Sequence, residues 1–433
     1  MDMLIVHGGR PLSGRVRVDG SKNATLPIMA ASLAVDGRVT LCNVPTLVDV
    51  RTMAQLLRSL GAVVSESFGR VDIDPQAANG VVAEYDLVRR MRASVCVLGP
   101  LLARFGSARV SLPGGCNIGH RPIDLHLRGL TALGADIRIS GGYVVAEAAT
   151  LRGAEIHLNG PHGSSVTATC NVMTAAAIAR GRTVIRSAAM EPEVADLASF
   201  LNSLGARICG AGTAEIEISG VDRLNGGSHT IMPDRIEAAT LAIAAAITRG
   251  VITIDHAPVD QLTSVLAKLG EIGVGVETTD QCLRVNADRE LRPANVAATP
   301  YPGIPTDTQA QFMALLSTIP GTSVISDRVF PDRFMHASEL TRMGADIQRG
   351  RRSTVVHGVA SLSAAPLMAC DLRASAALLL AAIAAEGESR IRRIYHLDRG
   401  YARLEEKLNG LGANIVRCGE SQSAAVAGAP EYG

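Results

Sequence analysis

The stretch LPGGCNIGHRPIDLH, residues 112–126, sets a cysteine, an arginine, an aspartate and two histidines among three glycines. Cys116 in such a place is a structural thiol, a metal ligand or a reactive group. Metal ligation fails on spacing: His120 and His126 have no second cysteine near them, and no zinc pattern is met. Gly114, Gly115 and Gly119 suit a tightly turned or mobile loop more than a core. With Arg121 close by, the setting favours a reactive thiolate or a tuned acid. Cys42, Cys96, Cys170, Cys209, Cys282, Cys370 and Cys418 make no CxxC and no close pair, so most are expected to be small buried hydrophobes.

Cations fall where an anion is best received. Lys22 and Asn23, in VDGSKNATLP, stand at the entrance of an apolar helix-like stretch, where free N–H groups and the helix dipole favour negative charge. A solvated lysine beside an Asn cap is the competing reading. Arg92 in RRMRASV and Arg373 in CDLRASA occupy corresponding entrances. Together with Arg121, Arg333 (PDRF) and Arg399 (LDRG) they suit a multiply anionic substrate, because guanidinium forks match carboxylate and phosphate. Asp307, in YPGIPTDTQAQF, stands at the matching helix entrance further along the chain, where the others carry cations or neutral residues. It is either a general base, which needs a hydroxyl within reach, or an ordinary N-cap.

These residues share a position because the chain repeats. RSLGAVV, TALGADI, NSLGARI, GEIGVGV, TRMGADI and NGLGANI recur at intervals of about 70 residues. Each is expected to close an amphipathic helix at its central glycine: Gly61, Gly134, Gly205, Gly273, Gly344 and Gly412. Earlier in each unit stands an almost wholly apolar stretch, such as IEAATLAIAAAITRG or ASAALLLAAIAAEG. These stretches run to Gly37, Gly106, Gly181, Gly250, Gly321 and Gly387. Their composition predicts buried helices, with the glycines as left-handed helix ends. β-branched runs (RVTLCNVP, GVITIDHA) and alternating ones (RVDID, EIEIS, CLRVNA) read as strands. The fold class is therefore α/β, in six units of a sheet and two helices. An open solenoid would need an unusually long period, and helices this apolar cannot stay solvated in six separate domains. Two clusters of three units bury every apolar face.

A chain of 433 residues exceeds what one core accommodates. With 47% hydrophobic residues, 3% aromatics and no tryptophan, its cores are built from small aliphatic side chains. Lys plus Arg (42) nearly equals Asp plus Glu (41), which leaves no overall field to gather nucleic acid or an anionic membrane. MDMLIVHGGRPLSG reads as neither signal peptide nor anchor, and ASAALLLAAIAA falls short of the roughly 20 residues of a membrane helix. A cytoplasmic enzyme is the expectation.

The ordered set GSKNATLP, MRASV followed by LGPLLARFG, LPGGCNIGHRPIDLH, EPEVADL, PDRIEA, PTDTQAQF, DLRASA and YHLDRGYARLEEKLNGLGA spans essentially the whole length and resembles the enolpyruvyl transferases. The resemblance implies a two-domain inside-out α/β barrel, with three repeated units per domain, helices inside and sheets outside. One domain would span 22–230 and the other would join 1–21 to 231–433, with the active site in the cleft between them. It implies transfer of the enolpyruvyl group of phosphoenolpyruvate to the 3-hydroxyl of UDP-N-acetylglucosamine. Phosphate would leave by addition and then elimination, with no metal or organic cofactor and no nucleic-acid or membrane partner.

Position by position, the resemblance gives Lys22, Arg121 and Arg399 to the phosphate and Arg333 and Arg373 to the carboxylate. Cys116 matches the loop cysteine that protonates the methylene carbon and that fosfomycin alkylates, and Asp307 matches the residue that meets the attacking hydroxyl. Asn23, Arg92, Arg121, Pro122, Ile123, Asp124, Leu125, Ser165, Val166, Asp307 and Val329 match contacts to the nucleotide sugar. Four positions depart from the family pattern. Thr167 makes SVTAT of the common SVGAT, Val48 replaces a common lysine, Pro331 enters VFPDRF in place of VFENRF, and His120 replaces a small residue. All bear on the acceptor. A paralogue acting on another nucleotide such as UMP, or more remotely on shikimate 3-phosphate, stays open, as does a silent nucleotide-sugar-binding protein. Cys116 and RPIDLH argue against the shikimate enzyme, and the presence of both Cys116 and Asp307 argues against a silent protein.

Overall fold

The repeated glycine phrase has one conformational task in all six units. The helix Val48–Ser59 buries Val50, Met53, Ala54, Leu56 and Leu57 on one face and is closed by Gly61 at φ +91°. The Gly61 N–H donates to Arg58 O (2.9 Å) and the Ala62 N–H to Leu57 O (3.1 Å), the paired bonds of a Schellman end. The same two bonds close Asp124–Ala132, Pro192–Ser203, Thr263–Ile272, His336–Arg342 and Leu404–Gly410. Gly134, Gly205, Gly273, Gly344 and Gly412 are all left-handed there, a region that L side chains enter at a cost.

The computed structural model describes residues 2–113, 122–161 and 163–419. Its apolar helices are Lys22–Ala31, Leu98–Phe105, Val166–Ala177, Arg235–Ile247, Gln309–Leu316 and Leu372–Ala384. Every residue of Arg235–Ile247 and of Gln309–Leu316 is buried. Each fully buried Leu or Ile there contributes about 1.5–3 kcal/mol over its exposed state. The expectation that each of these helices ends on its glycine holds only at Gly106, the left-handed C-cap of Leu98–Phe105. Elsewhere the helix stops earlier, because the chain needs several residues to cross to the next strand. Gly37, Gly181, Gly321 and Gly387 are left-handed at the start of that strand. Gly250 is not left-handed; Arg249 takes φ 56° instead, and a Cβ on Gly250 would lie 2.2 Å from Leu12 O.

Among the described residues six four-stranded sheets share one layout: a parallel edge pair followed by two antiparallel pairs. In one of them Glu155–His157 runs parallel to Arg182–Arg186, which pairs antiparallel with Glu215–Ser219 and through it with Arg207–Cys209. In another, Pro366–Met368 and Glu388–Arg392 are joined by the N-terminal strand Asp2–His7, which pairs Leu4 with Ile391 on one side and Arg417 of Asn414–Gly419 on the other. A two-stranded ribbon, Asn159–Gly160 with Gly163–Ser164, precedes Val166–Ala177.

The chain divides into two compact units. One comprises Asp19–Asp234 with Pro300–Pro302; the other comprises Met1–Val18, Arg235–Thr299 and Gly303–Gly433. The second is cored by the Ala- and Leu-rich helices, with Phe312, Phe334 and Tyr401 as its few aromatics. No helix among the described residues is long and apolar enough to cross a membrane.

The cysteines differ from expectation. Of those described, only Cys96 and Cys170 are buried, and burial pushes the Cys96 thiol up to about 12 and Cys170 well above its usual range. Cys42, Cys282, Cys370 and Cys418 are half-buried and Cys209 is exposed. Four of these five lie on strands, where alternate side chains turn away from the core.

Candidate active site

Cys116, His120 and Arg121 lie outside the described residues. The remaining sequence-derived positions form two groups, one in each unit.

In the unit containing residues 303–433, Asp307 belongs to the short turn Thr306–Thr308 that leads into Gln309–Leu316. Its Oδ1 lies 2.8 Å from Arg333 Nη1 and its Oδ2 3.1 Å from Arg373 Nη2. Each carboxylate oxygen takes one guanidinium, so Asp307 is not a helix cap; Thr308 holds that position, without a side-chain bond. Arg373 is the second residue of Leu372–Ala384, and the cap is Asp371, whose Oδ1 accepts from the Arg373 and Ala374 N–H groups. Asp371 also faces Arg333 at 3.8 Å. The two cations are buried: Arg333 and Arg373 side chains are 6% and 1% exposed, against 24% for Asp307. Burial draws the Arg333 pKa down, but Asp307 and Asp371 outweigh it and the net direction is up.

The loop carrying Val329 and Arg333 is folded onto Asp327. That carboxylate accepts from the Val329 and Phe330 N–H groups (2.9 and 2.7 Å) and from the Thr306 hydroxyl (2.5 Å), which in turn accepts from Arg333 Nη1. Burial pushes Asp327 up, and these hydrogen bonds oppose it. Pro331 falls within this loop. Arg399 ends the short helix Ile394–Arg399 and is half-buried. Its neighbour Gly400 lies against Leu372, where a Cβ would come within 2.5 Å of the leucine side chain and force it to move at the start of the Arg373 helix.

In the unit containing residues 19–234, Ser21 caps the helix Lys22–Ala31 by accepting from the Ala24 N–H. Lys22 is its first residue, half-buried Asn23 its second. The Lys22 ammonium stands 3.6 Å from Asp49, with the two side chains 11% and 4% exposed, so the solvated-lysine reading fails. Val48, just before Asp49, is 43% exposed. Arg92 opens the short helix Arg92–Val97 and donates to Pro122 O at 3.1 Å, which brings the second cationic entrance to the RPIDL segment. Ile123 precedes Asp124–Ala132, Asp124 begins it, and Leu125 is buried. Ser165 caps Val166–Ala177 by accepting from the Ala168 N–H.

Behind this segment lies a hydrogen-bond chain that sequence reasoning missed. The Gly99 N–H donates to Asn171 Oδ1 (2.6 Å), which fixes the carboxamide so that Nδ2 donates to Val95 O and to His126 Nδ1 (both 3.0 Å). His126 therefore carries its proton on Nε2 and donates it to Thr167 Oγ1 at 3.1 Å. The hydroxyl proton of Thr167 is left for another acceptor. Burial first, then the Arg92 charge, lowers His126 to about 3, which keeps the ring neutral.

Asp49, Asp327, Asp371 and Asn171 escaped the sequence reading. Asp371 alone had a local signal, as the Asp of an N-cap ahead of an apolar run. Asp49 and Asn171 act only on residues far along the chain, as in the Lys22–Asp49 pair, and Asp327 joins its own loop to Thr306, 21 residues earlier.

A family profile described as EPSP synthase (3-phosphoshikimate 1-carboxyvinyltransferase) matches residues 6–408, and the chain belongs to this family of enolpyruvyl transferases. Within it, a protein of Methylacidiphilum infernorum named UDP-N-acetylglucosamine 1-carboxyvinyltransferase is 51% identical over 417 residues, 96% of this chain and 99% of that one. One of the same name from Geobacter metallireducens is 53% identical over 420 residues, 97% of this chain and all of that one. Among solved structures, the enolpyruvyl transferase NikO from Streptomyces tendae matches with a TM-score of 0.87 at 27% identity, over 96% of this chain and 98% of that one. EPSP synthase from Acinetobacter baumannii shares the fold, with a TM-score of 0.73 at 17% identity over 97% and 100% of the two chains.

Proposed function

We propose that the chain transfers the enolpyruvyl group of phosphoenolpyruvate to the 3-hydroxyl of UDP-N-acetylglucosamine and releases phosphate, the first committed step of peptidoglycan synthesis. The observation that carries this reading is Asp307 held across the buried cations Arg333 and Arg373. An incoming carboxylate competes with Asp307 for the two guanidinium groups. Displaced from them, Asp307 accepts the proton of the sugar hydroxyl. The hydroxyl oxygen bonds to C2 of phosphoenolpyruvate while Cys116 gives a proton to the methylene carbon. In the second half the bond from C2 to the phosphate oxygen breaks with its electron pair on the phosphate, the thiolate left at Cys116 takes back a methyl proton, and that C–H pair restores the double bond in the product.

Lys22, Arg121 and Arg399 hold the phosphate in this reading, and Arg333 and Arg373 the carboxylate; such fixed cations stabilise the charge of the tetrahedral intermediate. Asn23, Arg92, Arg121, Pro122, Ile123, Asp124, Leu125, Ser165, Val166 and Val329 receive the nucleotide sugar. The bond from Arg92 to Pro122 O joins two of these residues within the unit Asp19–Asp234. Identities above 50% to relatives carrying this name favour the sugar nucleotide over other acceptors. The three four-stranded sheets in each unit support a two-domain inside-out barrel of six repeated units. The reading puts the protein in the cytoplasm, where its nucleotide substrate is made.

A phosphate-release assay over UDP-N-acetylglucosamine, UMP and shikimate 3-phosphate tests the proposal. Turnover confined to the first acceptor is expected. Release with UMP and none with the sugar nucleotide would overturn it.

A further inference from the structure

Tyr401 follows the Arg399 loop and is 2% exposed. Its two ends meet different members of the acid–base and carboxylate-binding set. The ring lies under the Arg373 guanidinium, 5.1 Å from centroid to Cζ. The hydroxyl lies 2.8 Å from Thr240 Oγ1 and 3.2 Å from Gln311 Nε2. Hydrogen-bond polarity follows from the ends of this chain. The Thr240 hydroxyl donates to Ile236 O (2.8 Å), so the Tyr401 hydroxyl must donate to Thr240 Oγ1. Tyr401 Oη then accepts from the Gln311 carboxamide, whose other N–H donates to Asp307 O at 3.0 Å. Gln311 Nε2 also lies 3.2 Å from Thr240 Oγ1, so its inward N–H is shared between Tyr401 and Thr240, and all the bonds run towards Ile236. The bonds tie the backbone of Asp307 to the buried helices Gln309–Leu316 and Arg235–Ile247, and the ring contact with Arg373 adds Leu372–Ala384.

We propose that Tyr401 is a positioning residue for the reaction: its ring holds Arg373 and its hydroxyl, through Gln311, holds the main chain at Asp307. The two functions sit at opposite ends of one rigid side chain. A shift of Tyr401 therefore moves the carboxylate-binding cation and the candidate base together. This inference rests on the assignment of Arg373 and Asp307 to the reaction.

Tyr401→Phe keeps the ring and deletes the hydroxyl; Tyr401→Leu deletes both. Steady-state phosphate release should show the first with KM for phosphoenolpyruvate within about twofold of wild type and kcat lowered about 2- to 10-fold, the span of one hydrogen bond. The second should also raise that KM by about 10-fold or more, as loss of a desolvated cation–π contact implies. A hydrophobic filler would give one pattern for both variants, with kcat falling only as the folded fraction falls. That result, or wild-type constants in both, would overturn the inference. Urea unfolding of Tyr401→Leu, Arg373→Met and the double variant, followed by circular dichroism, reads the same link without turnover. Midpoint shifts that fail to add are expected, and additive shifts would refute the contact. If wild type releases no phosphate, the proposed activity fails while this cycle still decides the role of Tyr401.

Discussion

Asp307→Ala separates a general base from a helix cap, and the structure sets the size of the effect. The substitution removes the carboxylate that touches both Arg333 and Arg373, whose side chains are 6% and 1% exposed. Breaking a buried ion pair costs about 3–5 kcal/mol, because a charge is left without compensation. Asp307 is itself 24% exposed and Asp371 still faces Arg333 at 3.8 Å, so the lower end, about 3 kcal/mol, applies. At about 2–4 °C per kcal/mol for a domain of this size, Tm falls by roughly 6–12 °C. A lost N-cap would cost only about 0.5–2 kcal/mol. Phosphoenolpyruvate brings its own carboxylate to the two vacated cations. Saturating phosphoenolpyruvate should therefore raise the Tm of the variant more than that of wild type. Single-turnover phosphate release should fall by about 100-fold or more, since the hydroxyl keeps its proton. Calorimetric melts with and without phosphoenolpyruvate provide the comparison. A Tm drop under about 2 °C, or an equal gain from phosphoenolpyruvate in both proteins, would refute the reasoning.

Cys116→Ala should nearly abolish turnover while Cys116→Asp keeps part of it as an alternative acid; intact-mass measurement should find fosfomycin on wild type and on neither variant. Thr167→Val should weaken binding of UDP-N-acetylglucosamine by calorimetry more than Thr167→Ser, because His126 Nε2–H already satisfies the oxygen and leaves the hydroxyl proton to donate. Burial holds His126 at about 3 and His336 at about 4, so both are neutral in the fold and take up protons on unfolding below about 6.5. Stability is then full above that pH and is lost as pH falls towards 4; urea midpoints from pH 7 to 4.5 should drop, and His126→Asn should drop less steeply.

What the sequence made legible is what a few adjacent residues decide. The six repeated glycine phrases foretell six helix ends because left-handed φ, the glycine and the two closing bonds all lie within one turn. The glycines after the apolar stretches misled because the distance from helix to strand, not the helix itself, fixes where the chain must turn. Asp307 was visible as a residue yet ambiguous as a group, since its partners Arg333 and Arg373 lie 26 and 66 residues away and no spacing rule joins them. Tyr401 is the plainest miss. It follows a recognised LDRG, but its partners are on three helices that meet only in the folded unit.

The strand Asp2–His7, held between Glu388–Arg392 and Asn414–Gly419, imposes an order on biosynthesis. Protein chains emerge N-terminus first at about 5–20 residues per second, so this strand waits roughly 20–80 s for the partners that complete its sheet. The unit Asp19–Asp234 is nearly continuous and has its three four-stranded sheets in hand long before then. Its partner unit cannot close until both ends of the chain exist. A ribosome stalled near residue 380 would therefore carry one finished unit and an apolar strand, MLIV, still looking for its neighbours. Chaperone demand should be concentrated in that interval, and loss of residues 414–419 should strand the first residues made along with the last.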